Sequence, residues 1–242
     1  MKVVVVIPTY NESDSIEKVI RLIRRAADVG VLIVDDASPD GTADLAEKVG
    51  GEIGGVTVLR RTGVRGFAAS FKDGFTEALE QGADVVMQMD ADLQHDPFQI
   101  PDFLAAIEHS DAVLGSRYIP GGSIPQWSLS RRLLSRWGNI YAGLMLGYPL
   151  KDMTSGYRAW RADTLKSLDY ATVDSNGYSF QLGMVRRAIG VGARVTEVPI
   201  RFIDRELGES KMSTSIVVEA MILVTRWGVV GRLQRLRGRR RT

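Results

Sequence analysis

Asp90, Asp92 and Asp96 fall within seven residues at the end of an apolar run, Asp84–Met89. Two alternating carboxylates joined by a small Ala91 can hold a hard divalent cation against phosphate oxygens. Mg²⁺ typically keeps several waters and takes only one or two carboxylates. Gln94 offers a neutral oxygen two residues further on. A cation there would offset the charge building on a departing diphosphate. A plain turn is the alternative, since Asp is common at loop starts and Asp96 before Pro97 suits a helix cap. A second acidic group, in 34–42 (VDDASPDGT), ends another apolar run. Asp40–Gly41 reads as a turn dipeptide, with Thr42 able to cap the next helix. The adjacent Asp35 and Asp36 repel when ionised, so they require donors, a metal or a nucleoside. Pro8–Glu12 adds a stacking face in Tyr10 and a carboxylate in Glu12, but alone it reads as a strand-to-helix loop.

The elements that must position these groups follow an alternating pattern. Strands are predicted at Lys2–Ile7, Val31–Val34, Val56–Leu59, Asp84–Met89 and Ala112–Leu114. Helical spacing is predicted through Ile16–Ile23, Asp40–Val49, Arg65–Gln81 and Pro97–His109. Repeated βα order implies an α/β fold, a mostly parallel sheet with helices on both faces. Ligands of such sheets sit beyond the carboxyl ends of the strands. Pro8–Glu12, Asp35–Gly41, Asp90–Asp96 and Gly115–Tyr118 all lie there, which points to one shared site. The second half is less regular. Leu129–Leu146 and Tyr178–Ile189 read as helices, and Ser155–Trp160 and Arg194–Phe202 as strands. Asp204–Ser213 reads as a polar loop and Thr214–Val230 as a final helix. We expect one catalytic domain over 1–231 and a basic tail over 232–242.

Composition narrows the chemistry. The 242 residues include no cysteine and two histidines, so thiolate and zinc sites are disfavoured and a hard cation held by oxygen fits. The first residues read as a strand, not a signal peptide. No stretch reaches the ~18 uncharged apolar residues of a membrane span. Net charge is +2, yet seven arginines with no acid lie between Arg226 and Arg241. Such an end is attracted to anionic lipid. It lacks interleaved aromatics, so nucleic acid is not expected as a partner.

In combination, IPTYNE (7–12), VDDASPDGT (34–42), GVRGFAASFKDGF (63–75), MDADLQHDP (89–97), GSRY (115–118), TSGYRAW (154–160) and FIDRELGESKMS (202–213) resemble the family-2 glycosyltransferases, and among them the dolichyl- or polyprenyl-phosphate mannose synthases. The resemblance spans nearly the whole chain in order. It implies a GT-A, nucleotide-binding fold and metal-dependent, inverting transfer from GDP-mannose to a polyprenyl (dolichyl) phosphate. It implies that Asp90, Asp92 and Gln94 ligate Mg²⁺ or Mn²⁺, and that Pro8, Tyr10, Glu12, Val34 and Asp36 hold the nucleoside. Ala91 would lie beside the sugar-nucleotide, Arg117 and Arg131 would grip the acceptor phosphate, and Arg205 and Lys211 would close over the donor diphosphate. A UDP-glucose-dependent relative is the nearest alternative. A processive synthase is less apt, because no glutamine stands three residues before Arg136–Trp137 or Arg226–Trp227.

A lipid acceptor needs an apolar landing surface. At 100° per residue, Leu133, Leu134, Trp137, Ile140, Tyr141, Leu144 and Met145 fall on one side of the predicted helix 129–146, with Arg131, Arg132 and Arg136 on the other. That is an interfacial pattern. The expectation is a peripheral enzyme on the cytoplasmic face of a membrane, or one docking on a membrane-protein partner.

Overall fold

The structure, a computed structural model, describes residues 1–173, 177–203 and 220–230. Arg205, Lys211, the expected loop Asp204–Ser213, residues 214–219 of the expected final helix and the expected tail 232–242 lie outside the described residues.

Seven strands form one sheet: β1 (Val3–Thr9), β2 (Gly30–Asp35), β3 (Val56–Arg60), β4 (Val85–Gln88), β5 (Ala112–Ser116), β6 (Arg158–Arg161) and β7 (Val195–Pro199). Their order is β3-β2-β1-β4-β6-β5-β7. Alternation along β1 divides the core, as the two-residue period of a strand requires. Val3, Val5 and Ile7 pack with α1 (Ile16–Ala26), α2 (Thr42–Ile53) and α4 (Ile100–Ile107). Val4 and Val6 pack on the other face with α3 (Phe67–Glu80), α6 (Ala162–Ser167) and α7 (Gly177–Gly190). α3 approaches closely because Gly74 has no side chain. A Cβ there would lie 2.4 Å from Val6 Cγ1 and 2.9 Å from Val34 Cγ2. We expect Gly74→Ala to be destabilising, with about 1–3 kcal/mol of overpacking outweighing the ~1 kcal/mol that Ala gains in a helix. Urea unfolding checks this, and an unchanged midpoint would mean that α3 shifts outward freely.

The sheet is mostly parallel, as expected, with one exception. β6 runs antiparallel to both β4 and β5, pairing Arg158 with Gln88 and Leu114. The strand begins three residues later than the Ser155 expected from sequence. Being antiparallel, it starts at the edge where β4 ends, and so it delivers residues 152–157 to the mouth of the sheet.

A third layer consists of α5 (Leu129–Leu146) and the helix at 220–230, seated on Leu114, Met153, Leu182 and Val185. α5 docks by a narrow side, Asn139, Ala142 and Leu146. Tyr141 and Met145, expected on its outer apolar face, instead turn inward. Tyr141 Oη lies 2.5 Å from Thr225 Oγ1, and Gly228 packs directly on the Met145 carbonyl. Leu133, Leu134, Trp137, Ile140 and Leu144 are exposed as expected.

Candidate active site

The loops after β1 and β2 are built as one unit. Asp35 accepts hydrogen bonds from Thr9 Oγ1 (3.0 Å) and from the Ser38 amide and hydroxyl (2.9 and 2.6 Å). Asp36 is ion-paired with the buried Arg61 and accepts from the Gly66 amide at 2.8 Å. Of the three ways to relieve the Asp35–Asp36 repulsion, the fold uses protein donors. Gly41, not Thr42, is the N-cap of α2, and Asp40 precedes it. Asp40 accepts from the Thr42 amide and hydroxyl and from the Ser13 amide. Burial raises its carboxyl, but those hydrogen bonds outweigh it and bring the pKa down to about 2. Thr42 Oγ1 in turn accepts from the Glu12 amide at 2.9 Å, tying the first loop to the second. Arg65 covers this region, lying 4.9 Å over the Tyr10 ring and donating to Tyr10 Oη and the Ala37 carbonyl. Pro8 pairs in register with Val34 at the strand ends. The side chains of Val34 and Ala91 belong to the core, so only their main chains remain for a ligand.

Asn11, Ala37 and Leu93 have φ of 58°, 56° and 61°, uncommon for residues with a side chain. Each follows the end of a different strand among the first four, and strain of this kind clusters at functional sites.

The third of these residues sits in the acidic loop after β4. The Asp92 carboxylate accepts from the Gln94 amide at 3.0 Å, and Asp96 caps the 3₁₀ turn Pro97–Gln99 by accepting from Phe98. Asp96 is thus the turn residue of the three acids. Asp90 is braced by His95, whose Nδ1 accepts the Asp90 N–H at 3.2 Å. That bond puts the His95 proton on Nε2. Burial lowers its pKa to about 4, so the ring is neutral and stacks on Tyr157 at 4.9 Å. Opposite, Gly156 leaves space that a Cβ would fill 3.2 Å from Asp90 Oδ2. Gln94 is buried, and its side-chain amide donates to the Ile203 carbonyl, tethering the chain just before residue 204. Among the described residues no three acids or imidazoles form a closed metal cage. Two carboxylates in one loop suit a hard cation that completes its shell with water and phosphate oxygens.

Arg117 follows β5 and is buried. Asp152 holds it through both oxygens, at 2.6 Å to Nε and 2.8 Å to Nη2, and also accepts its amide. Burial raises the Asp152 carboxyl, but Arg117 more than reverses this and holds it below the usual carboxylate range. The rings of Tyr118, Trp127 and Phe202 surround Arg117 at 5.4–5.5 Å. Arg131, on the first turn of α5, lies 3.9 Å over Trp127. Phe202 also meets His95 at 5.5 Å, so the acidic loop and the arginine pair share one wall.

Three residues of this site went unnoticed in the sequence: Asp152, Trp127 and Arg158. Fully buried Arg158 donates to the carbonyls of Ser155, Gln181 and Met153, which fixes segment 153–155 behind Asp152. Burial lowers its pKa to about 9. No spacing rule marks such lone residues.

Residues 4–168 match the family profile described as Glycosyl transferase family 2. The chain belongs to glycosyl transferase family 2. Its relatives within that family include an undecaprenyl-phosphate mannosyltransferase of Micrococcus luteus, 48% identical over 240 residues and 99% of both chains. Another is a polyprenol monophosphomannose synthase of Mycolicibacterium smegmatis, 42% identical over 98% of this chain and 91% of that one. Among solved structures, glucosyl-3-phosphoglycerate synthase from Mycobacterium tuberculosis, in complex with Mn²⁺, UDP and phosphoglyceric acid, superposes with a TM-score of 0.63. It is 20% identical, with 97% of this chain and 78% of that one covered. The sheet and helices of this family 2 glycosyltransferase are therefore the GT-A fold.

Proposed function

We propose that the chain transfers mannose from GDP-mannose to a polyprenyl phosphate, with inversion, using Mg²⁺ or Mn²⁺. The observation that carries the reading is the shared wall described above, which sets a two-carboxylate loop beside a pair of arginines. An anionic donor diphosphate and an anionic acceptor need opposite recognition, and both kinds stand here. Full-length similarity to two enzymes named for polyprenyl-phosphate mannosyl transfer supports the lipid acceptor and favours mannose over glucose.

In this reading Pro8, Tyr10, Glu12, Val34 and Asp36 hold the nucleoside, the first and fourth through their main chains or ring edge. Asp90, Asp92 and Gln94 hold the divalent ion, which supplies charge stabilisation to the leaving diphosphate. Arg117 and Arg131 hold the acceptor phosphate, and Arg205 and Lys211 close over the donor. The acceptor oxygen attacks the anomeric carbon as the bond to the diphosphate oxygen breaks. A phosphate is already anionic near neutral pH, so no side chain must remove a proton. Positioning and preorganised charge supply the rate. Residues 1–231 act as the catalytic domain.

No helix among the described residues is long and apolar enough to cross a membrane. The exposed apolar side of α5, beside Arg132 and Arg136, is suited to lie at a bilayer surface on the cytoplasmic face. The tail 232–242 adds attraction to anionic lipid. Leu133→Ser with Trp137→Ser is expected to reduce co-sedimentation with anionic vesicles about tenfold or more, at roughly 1.5–3 kcal/mol per buried apolar side chain. Equal partitioning would remove α5 from the membrane contact.

The deciding experiment offers labelled GDP-mannose, UDP-glucose or UDP-GlcNAc with polyprenyl phosphate and Mg²⁺ or Mn²⁺. Lipid-linked mannose from the first donor alone is expected. Label transferred to lipid from none of them would overturn the reading.

A further inference from the structure

Trp127 sits in the turn before α5 and is only 6% exposed. Buried indoles ordinarily find a partner for their N–H. Here the Trp127 Nε1 has none among the described residues. Leaving such a donor unmet in the folded protein is costly, so it implies a ligand or an ordered water.

The ring face has a separate task. Arg131 lies over it at 3.9 Å, and Arg117 approaches the same ring at 5.4 Å. Arg117 is already fixed from behind by Asp152, whereas Arg131 comes from a half-exposed helical turn. A cation over an indole is held in place without losing its hydrogen-bond donors, which stay in the plane of the guanidinium. Phe202 packs edge-on against the same indole at 5.7 Å, which limits its tilt.

Resting on the acceptor-phosphate role of Arg117 and Arg131, we infer that Trp127 is the positioning residue of that clamp: its face sets Arg131 beside Arg117, and its indole N–H is a further donor to the acceptor phosphate. The clamp then comprises two cations and one neutral donor around a tetrahedral oxyanion.

The two roles separate in Trp127→Phe, which keeps an aromatic face and loses the N–H with the second ring, and Trp127→Leu, which loses the aromatic face as well. Full-length protein is assayed for initial rates with GDP-mannose and polyprenyl phosphate, and for GDP–Mn²⁺ binding by calorimetry. Trp127→Phe is expected to raise the acceptor KM about 5-fold, the worth of one ordinary hydrogen bond. Trp127→Leu should raise it about 10-fold or more, adding the cation–π contact. GDP–Mn²⁺ affinity and the KM for GDP-mannose should stay within twofold in both variants, a split that general loss of packing would not give. An unchanged acceptor KM in Trp127→Phe overturns the donor role whatever Trp127→Leu does. A rise in both KM values together overturns the positioning role. Arg131→Gln distinguishes the levels: if it too leaves the acceptor KM unchanged, the phosphate clamp itself is wrong. If it raises the acceptor KM while both Trp127 variants do not, only the inference about Trp127 fails.

Discussion

Asp92→Asn is expected to abolish sugar transfer while leaving the fold intact. Asp92 lies in a loop, and the bond it accepts from the Gln94 amide can be kept by the asparagine carbonyl oxygen. The lost negative charge is another matter. A cation held by two carboxylates and phosphate oxygens has no third acid among the described residues to take over. Removing one preorganised electrostatic contact from a reacting centre costs about 10²–10³ in kcat. Loss of one of the two carboxylates should reach at least the upper part of that range. Initial rates at saturating Mn²⁺, beside a thermal melt, test the expectation. Activity within tenfold of the parent at limiting as well as saturating Mn²⁺ would refute the metal role of Asp92.

Asp152→Ala should have the largest effect on stability. It leaves the buried Arg117 guanidinium with its main counter-charge removed. Breaking a buried pair from one side typically costs about 3–5 kcal/mol. At roughly 2–4 °C per kcal/mol for a chain of this size, the melting temperature should fall by about 6–20 °C. Acceptor KM should rise as well, since the Arg117 guanidinium loses both of its bonds to Asp152. The pH profile gives an independent check. The Asp152 pKa in the folded protein lies below its unfolded value, so the native state binds fewer protons. Its contribution is complete above about pH 4, the ordinary carboxylate value, and is lost as pH falls through the lower folded one. Asp40, at about 2, behaves the same way. Urea midpoints from pH 2 to 7 should therefore show a shallower acid limb in Asp152→Ala. A limb as steep as the parent's would mean that the pair contributes nothing to acid sensitivity.

The sequence made some of this legible and hid the rest for physical reasons. α5 was read with its observed bounds because both ends carry local signals. Ser128 accepts from the Arg131 amide at the start, and Gly147 adopts a left-handed conformation at the end. The acidic loops were legible because strand ends and acids announce themselves by position. Even there, the partner of Asp36 is Arg61, twenty-five residues away, which no local pattern specifies. β6 begins later than the expected Ser155, and no local signal marks its antiparallel direction. Its pairing depends on β4 and β5, and Gly156 and Tyr157 before it are claimed by the site. Asp152 and Arg158 were invisible for a related reason, since a buried charge has meaning only beside its partners. The inward turn of Tyr141 and Met145 was missed because helical periodicity assumes one buried side, whereas α5 has a neighbouring helix on its flank.

The outward leucines of α5 and Arg131, proposed to grip the acceptor phosphate, belong to one helix. An enzyme held at a bilayer by that helix meets its acceptor by lateral diffusion in two dimensions. Its rate should then follow the mole fraction of polyprenyl phosphate in the vesicle, not its bulk concentration. Diluting the acceptor with inert lipid at constant total acceptor would slow the reaction, while diluting the vesicles with buffer would leave the turnover of bound enzyme unchanged.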